Sequence, residues 1–354
     1  MNTSKDAPVT AKDIGKRLGL SQPTVSRILS GAGGYRVSAT TRQRVLETAT
    51  QLGYRPNALA RSLRRGRTNI VGLYTGYGYL DARNPFQAEV IGGIQRAADK
   101  YRLDILLHGV FRGASTDDIF NELLDGRIDG LLIHTFAEDP LVTQLRDSSL
   151  PVVAIADAVP NIPSVVADDA KGMAVLLNLL WERGHRRIAF LRPIVRYASV
   201  ENRLHAFRAW AEARCLSSAH TPVYKIEAEQ TLPALEAIQL LPKAERPTAV
   251  CCWNDLAAFD LLLHCRNRDV SVPETLAVVG FDGLTTDARL CPRPLVTVGT
   301  SWPQATLLAV DLLVRQIEAR GRNHTSQSDT EEGSTQTIPL LTCLPVTSIA
   351  GDTV

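Results

Sequence analysis

The chain has 354 residues, 45% hydrophobic and 21% charged, which gives room for two or three domains with sizeable cores. The net charge of +2 conceals an asymmetry: residues 1–67 carry 13 Lys and Arg against 3 Asp and Glu, and the rest carries 26 against 34. A basic head on an acidic body is the layout of a protein whose first domain meets a polyanion. No apolar run reaches the length of a membrane span, and the first residues hold no apolar signal core, so a cytoplasmic, nucleoid-associated location is expected. The six cysteines form no Cys-x-x-Cys pair and show no zinc or disulfide spacing, so no metal is expected. Cys251 and Cys252, inside TAVCCW, read as small buried hydrophobes.

In chain order, Val9 to Leu29 reads as two short helices joined by a tight turn. Thr10 caps the first, with Asp13 at the third helical position, and Ile14 and Leu18 form its apolar stripe. Gly19 stops it, since glycine enters the left-handed region without steric cost. Ser21 caps the second helix, where Pro23 is tolerated because first-turn N–H groups lack intrahelical partners. Val25, Ile28 and Leu29 face inward, leaving Gln22, Pro23, Ser26 and Arg27 outside. This is the helix-turn-helix pattern, whose second helix enters the DNA major groove with its N-terminal residues against base edges. A third helix follows Ser38 to about Leu52, with Val45, Leu46, Ala49 and Leu52 inward. YRPNALARSLRRGR then starts a short helix from Asn57 to about Arg64, with Leu59 and Leu63 on one side and Arg61, Arg64 and Arg65 on the others. It is too short to be stable alone. A leucine on a basic helix suits a minor-groove wedge, with the arginines on phosphates.

From Thr68 the pattern alternates. NIVGLYTG, RLDILLHGV, DGLLIHT, PVVAIAD, RRIAFLRP, TAVCCW and LAVVGFD read as buried strands. Helices are expected near 85–101, 115–125, 139–148, 170–183, 200–214, 231–241, 254–268 and 304–320, and 321–337 reads as a loop. Strict alternation predicts parallel sheets covered on both faces, and so many units predict two doubly wound lobes. Ligands of such sheets bind beyond the carboxyl ends of the strands.

Several signatures in order then make the chain resemble the lactose/galactose repressor family of bacterial transcription regulators. They are T-x-x-D-I-G-x-x-x-G-L-S-x-x-T-V-S-R at Thr10–Arg27, V-S-x-x-T-R-x-R-V-L from Val37, L-G-Y-R-P-N at Leu52–Asn57, N-P-F at Asn84, G-H-R-R-I-A-F-L at Gly184, N-D-L-A-A at Asn254 and V-V-G-F-D at Val278. The resemblance implies a homodimer on a pseudo-palindromic operator in double-stranded DNA. It implies a helix-turn-helix headpiece (1–56), a hinge helix (57–67) and a body (68–354) like periplasmic sugar-binding proteins, with an effector between two lobes. The lobes would be about 68–165 with 297–325, and 166–296 with 326–354. The DNA-binding set is Thr10, Ser21, Gln22, Pro23, Thr24, Ser26, Arg27, Asn57, Arg61, Leu63 and Arg64. The effector set is Phe86, Asp157, Arg203, Trp253, Asn254, Asp255, Asp282 and Trp302, with Tyr77, Tyr79 and His134 as weaker candidates. Asp and Arg suit vicinal hydroxyls, since each offers two parallel acceptors or donors, and aromatics suit a ring face. A sugar-like effector is expected and no cofactor.

The chain departs from the family at the longer loop Gly31–Arg36, at Pro23, at Thr300 where Gln is common, and in the tail LTCLPVTSI, which lacks Arg-Glu-Ser-Thr. An enzyme is not expected: there is no G-x-S-x-G elbow, Walker loop or H-E-x-x-H. Asp168–Asp169 reads as an extended pair whose side chains point apart. A constitutive DNA-binding regulator and a sugar-binding protein without a DNA role are the competing readings.

Overall fold

The computed structural model describes residues 9–30, 37–56, 62, 66–76, 80–81, 83–108, 114–284, 293–325 and 338–354. The chain divides into two compact units, Met1–Thr68 and Asn69–Val354. Among the sites expected from sequence, Asn57, Arg61, Leu63, Arg64, Tyr77 and Tyr79 lie outside the described residues.

The first unit holds α1 (Ala11–Leu18), α2 (Gln22–Leu29) and α3 (Ala39–Gln51). Ile14, Val25, Ile28, Val45 and Ala49 form its core, bordered by Leu18, Leu20, Leu29 and Leu52. One expectation fails: Leu46 is 44% exposed, and Thr48 takes the inward place. The buried stripe of α3 runs 45, 48, 49, 52, the i, i+3, i+4, i+7 spacing, and Leu46 stands about 100° off it.

The second unit holds two six-stranded sheets. One takes β1 (Ile70–Thr75), β2 (Asp104–Leu107), β3 (Gly130–His134), β4 (Val152–Ala156), β5 (Ser164–Ala167) and β11 (Leu341–Leu344), in the order β11-β5-β4-β3-β1-β2. The other takes β6 (Ile188–Pro193), β7 (Val223–Ile226), β8 (Ala249–Cys252), β9 (Ala277–Phe281), β10 (Val296–Gly299) and β12 (Thr347–Ile349), in the order β12-β10-β9-β8-β6-β7. All pairings are parallel except β10 with β12. Helices cover both faces: α4 (Pro85–Tyr101), α5 (Thr116–Leu123), α6 (Pro140–Asp147) and α11 (Trp302–Thr325) on the first sheet, and α7 (Asp169–Glu182), α8 (Ala198–Glu212), α9 (Leu232–Leu240) and α10 (Asp255–Asn267) on the second. The inner strands are therefore largely apolar and buried rather than alternating, while the edge strands β2, β7, β11 and β12 are partly exposed. Cys251 and Cys252 are fully buried within them, and burial pushes the Cys251 thiol up to about 12.

The chain crosses between lobes three times: after β5, after β10, and between β11 and β12. The crossings lie side by side, since Asp168 N–H donates to the Leu344 carbonyl at 2.9 Å and Thr300 Oγ1 to that of Pro345 at 3.0 Å. This corrects the expected lobe division. Residues 297–299 finish a strand of the second sheet, and Leu341–Leu344 return to the first. The strands β5, β7 and β10, not foreseen, and the tail strands β11 and β12 within LTCLPVTSI are three or four residues long, and their pairing partners rather than local pattern define them.

Candidate functional site

In the first unit, α1 begins with a reciprocal cap. Thr10 N–H and Oγ1–H donate to Asp13 Oδ2 at 3.0 and 2.6 Å, and Asp13 N–H returns a bond to Thr10 Oγ1 at 3.4 Å. Those bonds hold the Asp13 carboxyl below its ordinary range. Gly19 turns the chain at φ +69°. Gly15 lets α1 approach that turn: a Cβ there would stand 2.6 Å from the Leu20 carbonyl oxygen. Ser21 Oγ accepts Thr24 N–H at 3.3 Å and lies 2.9 Å from Thr24 Oγ1. The hydroxyls of Thr10 and Ser21 thus serve as helix caps. Gln22, Pro23 and Arg27 are exposed along α2, with Ser26 and Thr24 half-buried beside them. The turn and caps present one polar helix face with its tip at Gln22 and Pro23.

In the second unit, a cavity of about 330 Å³ opens between the carboxyl ends of the two sheets. From the first sheet it receives His134 at the end of β3 and Asp157 just beyond β4. Phe86 enters from the first turn of α4. From the second it receives Pro193, Arg203 on α8, Glu229, Trp253 and Asn254 after β8, and Asp282 after β9; Trp302, which opens α11, closes one side. Seven of the eight expected effector residues meet there.

Asp255 is the exception. It is fully buried and does not line the cavity. Its Oδ1 accepts Thr297 Oγ1–H at 2.5 Å and its Oδ2 accepts Leu284 N–H at 2.7 Å. It braces α10 against β10, and burial pushes its pKa up to about 7 against those bonds. Its neighbour Asn254 both lines the cavity and caps α10, accepting Ala257 N–H at 2.8 Å.

Arg203 is 4% exposed and held on every side. Its Nε donates to Asp169 Oδ1 at 2.8 Å, its Nη1 to the Trp253 carbonyl at 2.5 Å and to Asp282 Oδ1 at 3.4 Å, and its guanidinium lies 3.6 Å from the Phe281 ring centre. Burial works against its charge, but Asp169 and Asp282 outweigh it and its pKa is raised. Burial pushes Asp169 up, with Arg203 opposing, and pushes Asp282 well up. Asp169 was not expected here. Asp168 caps α7 through Lys171 N–H, so the pair is a cap and a first-turn residue, not an extended stretch. An Asp before the apolar run DAKGMAVLLNLL is the signal that marks it.

Asp157 joins the lobes. Its Oδ2 lies 3.1 Å from His134 Nε2 on its own lobe, and its Oδ1 accepts Ser199 N–H from the first turn of α8 across the cavity at 2.8 Å. Tyr197, the residue before α8, makes no side-chain cap, so Asp157 satisfies a helix N–H from the opposite lobe. Burial raises the Asp157 pKa, but the His134 bond and charge and the Ser199 bond prevail and the net shift is downward.

A run of rings spans the same space. Phe86 meets Trp302 edge-on at 4.9 Å and His134 at 5.6 Å; His134 lies 6.0 Å from Tyr197, which is parallel to Trp253 within 8° at 6.2 Å. Trp302 Nε1 donates to the Asp282 carbonyl at 2.9 Å. The buried indole N–H of Trp253 meets no acceptor among the described residues. Tyr197 and Glu229 escaped sequence reasoning because each sits in a short loop without a distinctive motif.

A helix-turn-helix head ahead of a two-lobed, largely parallel α/β body with a polar, ring-lined cavity defines a ligand-binding transcription regulator. Residues 10–57 match the lacI family of bacterial regulatory proteins, and 177–335 match the periplasmic binding protein-like domain. Catabolite control protein A of Priestia megaterium is 31% identical over 294 residues, 80% of this chain and 86% of that protein. The transcriptional repressor PurR of Aliivibrio salmonicida is 27% identical over 316 residues, 87% of this chain and 92% of that protein. Among solved structures, the lac repressor dimer bound to operator and the anti-inducer ONPF superposes with a TM-score of 0.76 at 21% identity, covering 98% of this chain and 99% of that one. The CelR–cellobiose complex does so with a TM-score of 0.67 at 23% identity, covering 98% and 100%. The chain belongs to the lacI family of bacterial regulatory proteins. It is a DNA-binding transcription regulator with a ligand-binding body, and not an enzyme. No described helix is long and apolar enough to cross a membrane.

Proposed function

We propose that this chain is a homodimeric cytoplasmic repressor whose operator affinity is set by a sugar-like effector bound between the lobes. The observation that carries the effector class is the cavity lining: carboxylate, amide and guanidinium groups beside the faces of Phe86, Tyr197, Trp253 and Trp302. Carboxylates and amides meet ring hydroxyls, and aromatic faces cover the apolar side of a sugar. The cellobiose carried by one structural neighbour accords with that class.

Gln22, Pro23, Ser26 and Arg27 read base edges, with Thr24 beside them, while Asn57, Arg61, Leu63 and Arg64 hold the minor groove and its phosphates. Pro23 carries no polar side-chain atom, so it reads shape or a thymine methyl. The effector acts by binding two lobe arrangements unequally, since equal binding would shift nothing.

The test is operator binding by the full-length chain across a panel of mono- and disaccharides, purines and sugar phosphates. A neutral sugar that changes operator affinity supports the reading. Unchanged operator affinity with every compound would identify a constitutive regulator. Leu63→Ala is expected to weaken operator binding and leave sugar binding intact; equal loss of both removes the hinge assignment.

A further inference from the structure

Within the cavity the carboxylates are not equally matched. Asp157 has His134 and the Ser199 N–H, and Asp282 has Arg203. Among the described residues Glu229 has no cation beside it: its side chain meets the Asn254 side chain and its own backbone N–H. Because Asn254 Oδ1 already caps α10 by accepting Ala257 N–H, its amide N–H is what it offers Glu229. Glu229 is thereby kept as an acceptor. Among the described residues, the side-chain charge acting on it is that of another carboxylate, Asp260, rather than a cation.

Its placement is also built. Residues 227–230 close on themselves through a bridge between Glu227 and Gln230, with Gln230 N–H donating to the Glu227 carbonyl at 2.9 Å. Ala228 turns the chain at φ +50°, a conformation that non-glycine residues seldom adopt. Both Ala228 and Glu229 line the cavity. Glu229 stands near Tyr197, whose phenol its charge helps push up after burial and Asp157. Tyr197 and Trp253 run parallel beside it, and aromatic faces attract cations.

Resting on the proposed sugar-like effector, we infer that Glu229 is the specificity residue for a positively charged nitrogen, so that the effector is an amino sugar with a free amine. The ammonium supplies the cation that none of the described residues places at Glu229, and the hydroxyls go to Asp157 and Asp282. Burial already raises the Glu229 pKa, and a cation beside it offsets that penalty.

The experiment titrates the full-length chain calorimetrically with glucose, galactose and mannose, each alongside its 2-amino and 2-acetamido counterpart. At least one free amine is expected to bind tighter than both its parent and its acetylated form by about tenfold or more, the worth of a hydrogen bond to a charged group. Glu229→Gln, which keeps the shape and can still accept from Asn254, is expected to erase that margin. Thermal unfolding of the ligand-free variant verifies that it is folded, and Glu229→Asp, which keeps the charge, is expected to retain part of the margin. The inference is overturned if no free amine outbinds its parent, or if the margin survives Glu229→Gln. A neutral sugar that binds and shifts operator affinity without advantage to its amine removes the Glu229 assignment alone. Indifference of operator affinity to every compound removes the effector reading beneath it.

Discussion

The carboxylate of Asp157 accepts the backbone N–H of Ser199 at 2.8 Å, so a residue at the end of a strand in one lobe completes the first turn of a helix in the other. Its second oxygen is occupied by His134. Closure of the lobes and order in the first turn of α8 are therefore coupled through one side chain. Asp157→Ala is expected to destabilise the body by about 1–3 kcal/mol, the penalty for leaving buried partners unsatisfied. Urea unfolding of the full-length protein reads this, and a loss within error would show that the lobes close without it.

The same residue predicts an acid limb. Its folded pKa lies below the ordinary 3.8, so its contribution is fully present above that value and lost as pH falls through the folded pKa. The stability difference between the wild type and Asp157→Asn is expected to shrink as pH falls below about 4.

Asp255 behaves in the opposite sense. Burial raises its folded pKa to about 7, above the ordinary 3.8, so its contribution is complete below 3.8 and lost as pH rises through 7. Relative to Asp255→Asn, the wild type is expected to lose stability between about pH 4 and pH 7 and to level off above. A difference that does not vary across that range would mean that the Thr297 and Leu284 bonds hold the folded carboxylate ionised.

Arg203→Ala removes the cation from between Asp169 and Asp282 and strips the Trp253 carbonyl of a donor. Breaking a buried pair from one side costs about 3–5 kcal/mol, so this variant is expected to lower the thermal midpoint of the body as well as to abolish ligand binding. Arg203→Lys, which keeps the charge but not the forked donor geometry, is expected to lose ligand affinity with the smaller loss of stability. Equal midpoints for both variants would show that the charge alone contributes nothing there and that the forked geometry carries the structural role.

Ile14 is fully buried in the small core of the first unit, beside Val25, Ile28, Val45 and Ala49 and a border of partly buried residues. Ile14→Ala is expected to cost the first unit about 2–5 kcal/mol and with it operator binding, while the unfolding transition of residues 69–354 stays in place. Calorimetry separates the two transitions, and a downward shift in both would show that the units unfold together.

Much of this architecture is legible in the amino-acid sequence. The first unit could be read almost residue by residue, because Thr10, Asp13, Gly19, Ser21 and Ser38 are local signals whose partners lie within a few positions. Leu46 misled because a 13-residue helix offers adjacent apolar positions, and only packing selects between them. In the body, strands of apolar β-branched residues were visible, whereas VYKI and the tail strands were too short to show a period. The cavity's missing members have the same origin. Asp169 reaches Arg203 across 34 residues, and Asp255 reaches Thr297 across 42, so neither partner is implied by its surroundings in sequence. Asp255 shares a motif with Asn254, yet adjacent positions at the start of a helix point differently, one into the cavity and one into the core.

The three neighbouring crossings also limit how the lobes can move. Backbone threaded three times through one narrow seam resists sliding and separation, since either would stretch all three segments at once, but it tolerates rotation about the line on which they lie. Such a seam would act as an axle: under the proposed switching, a ligand beside it would work by changing an angle, and the far ends of the lobes would sweep through the largest arc.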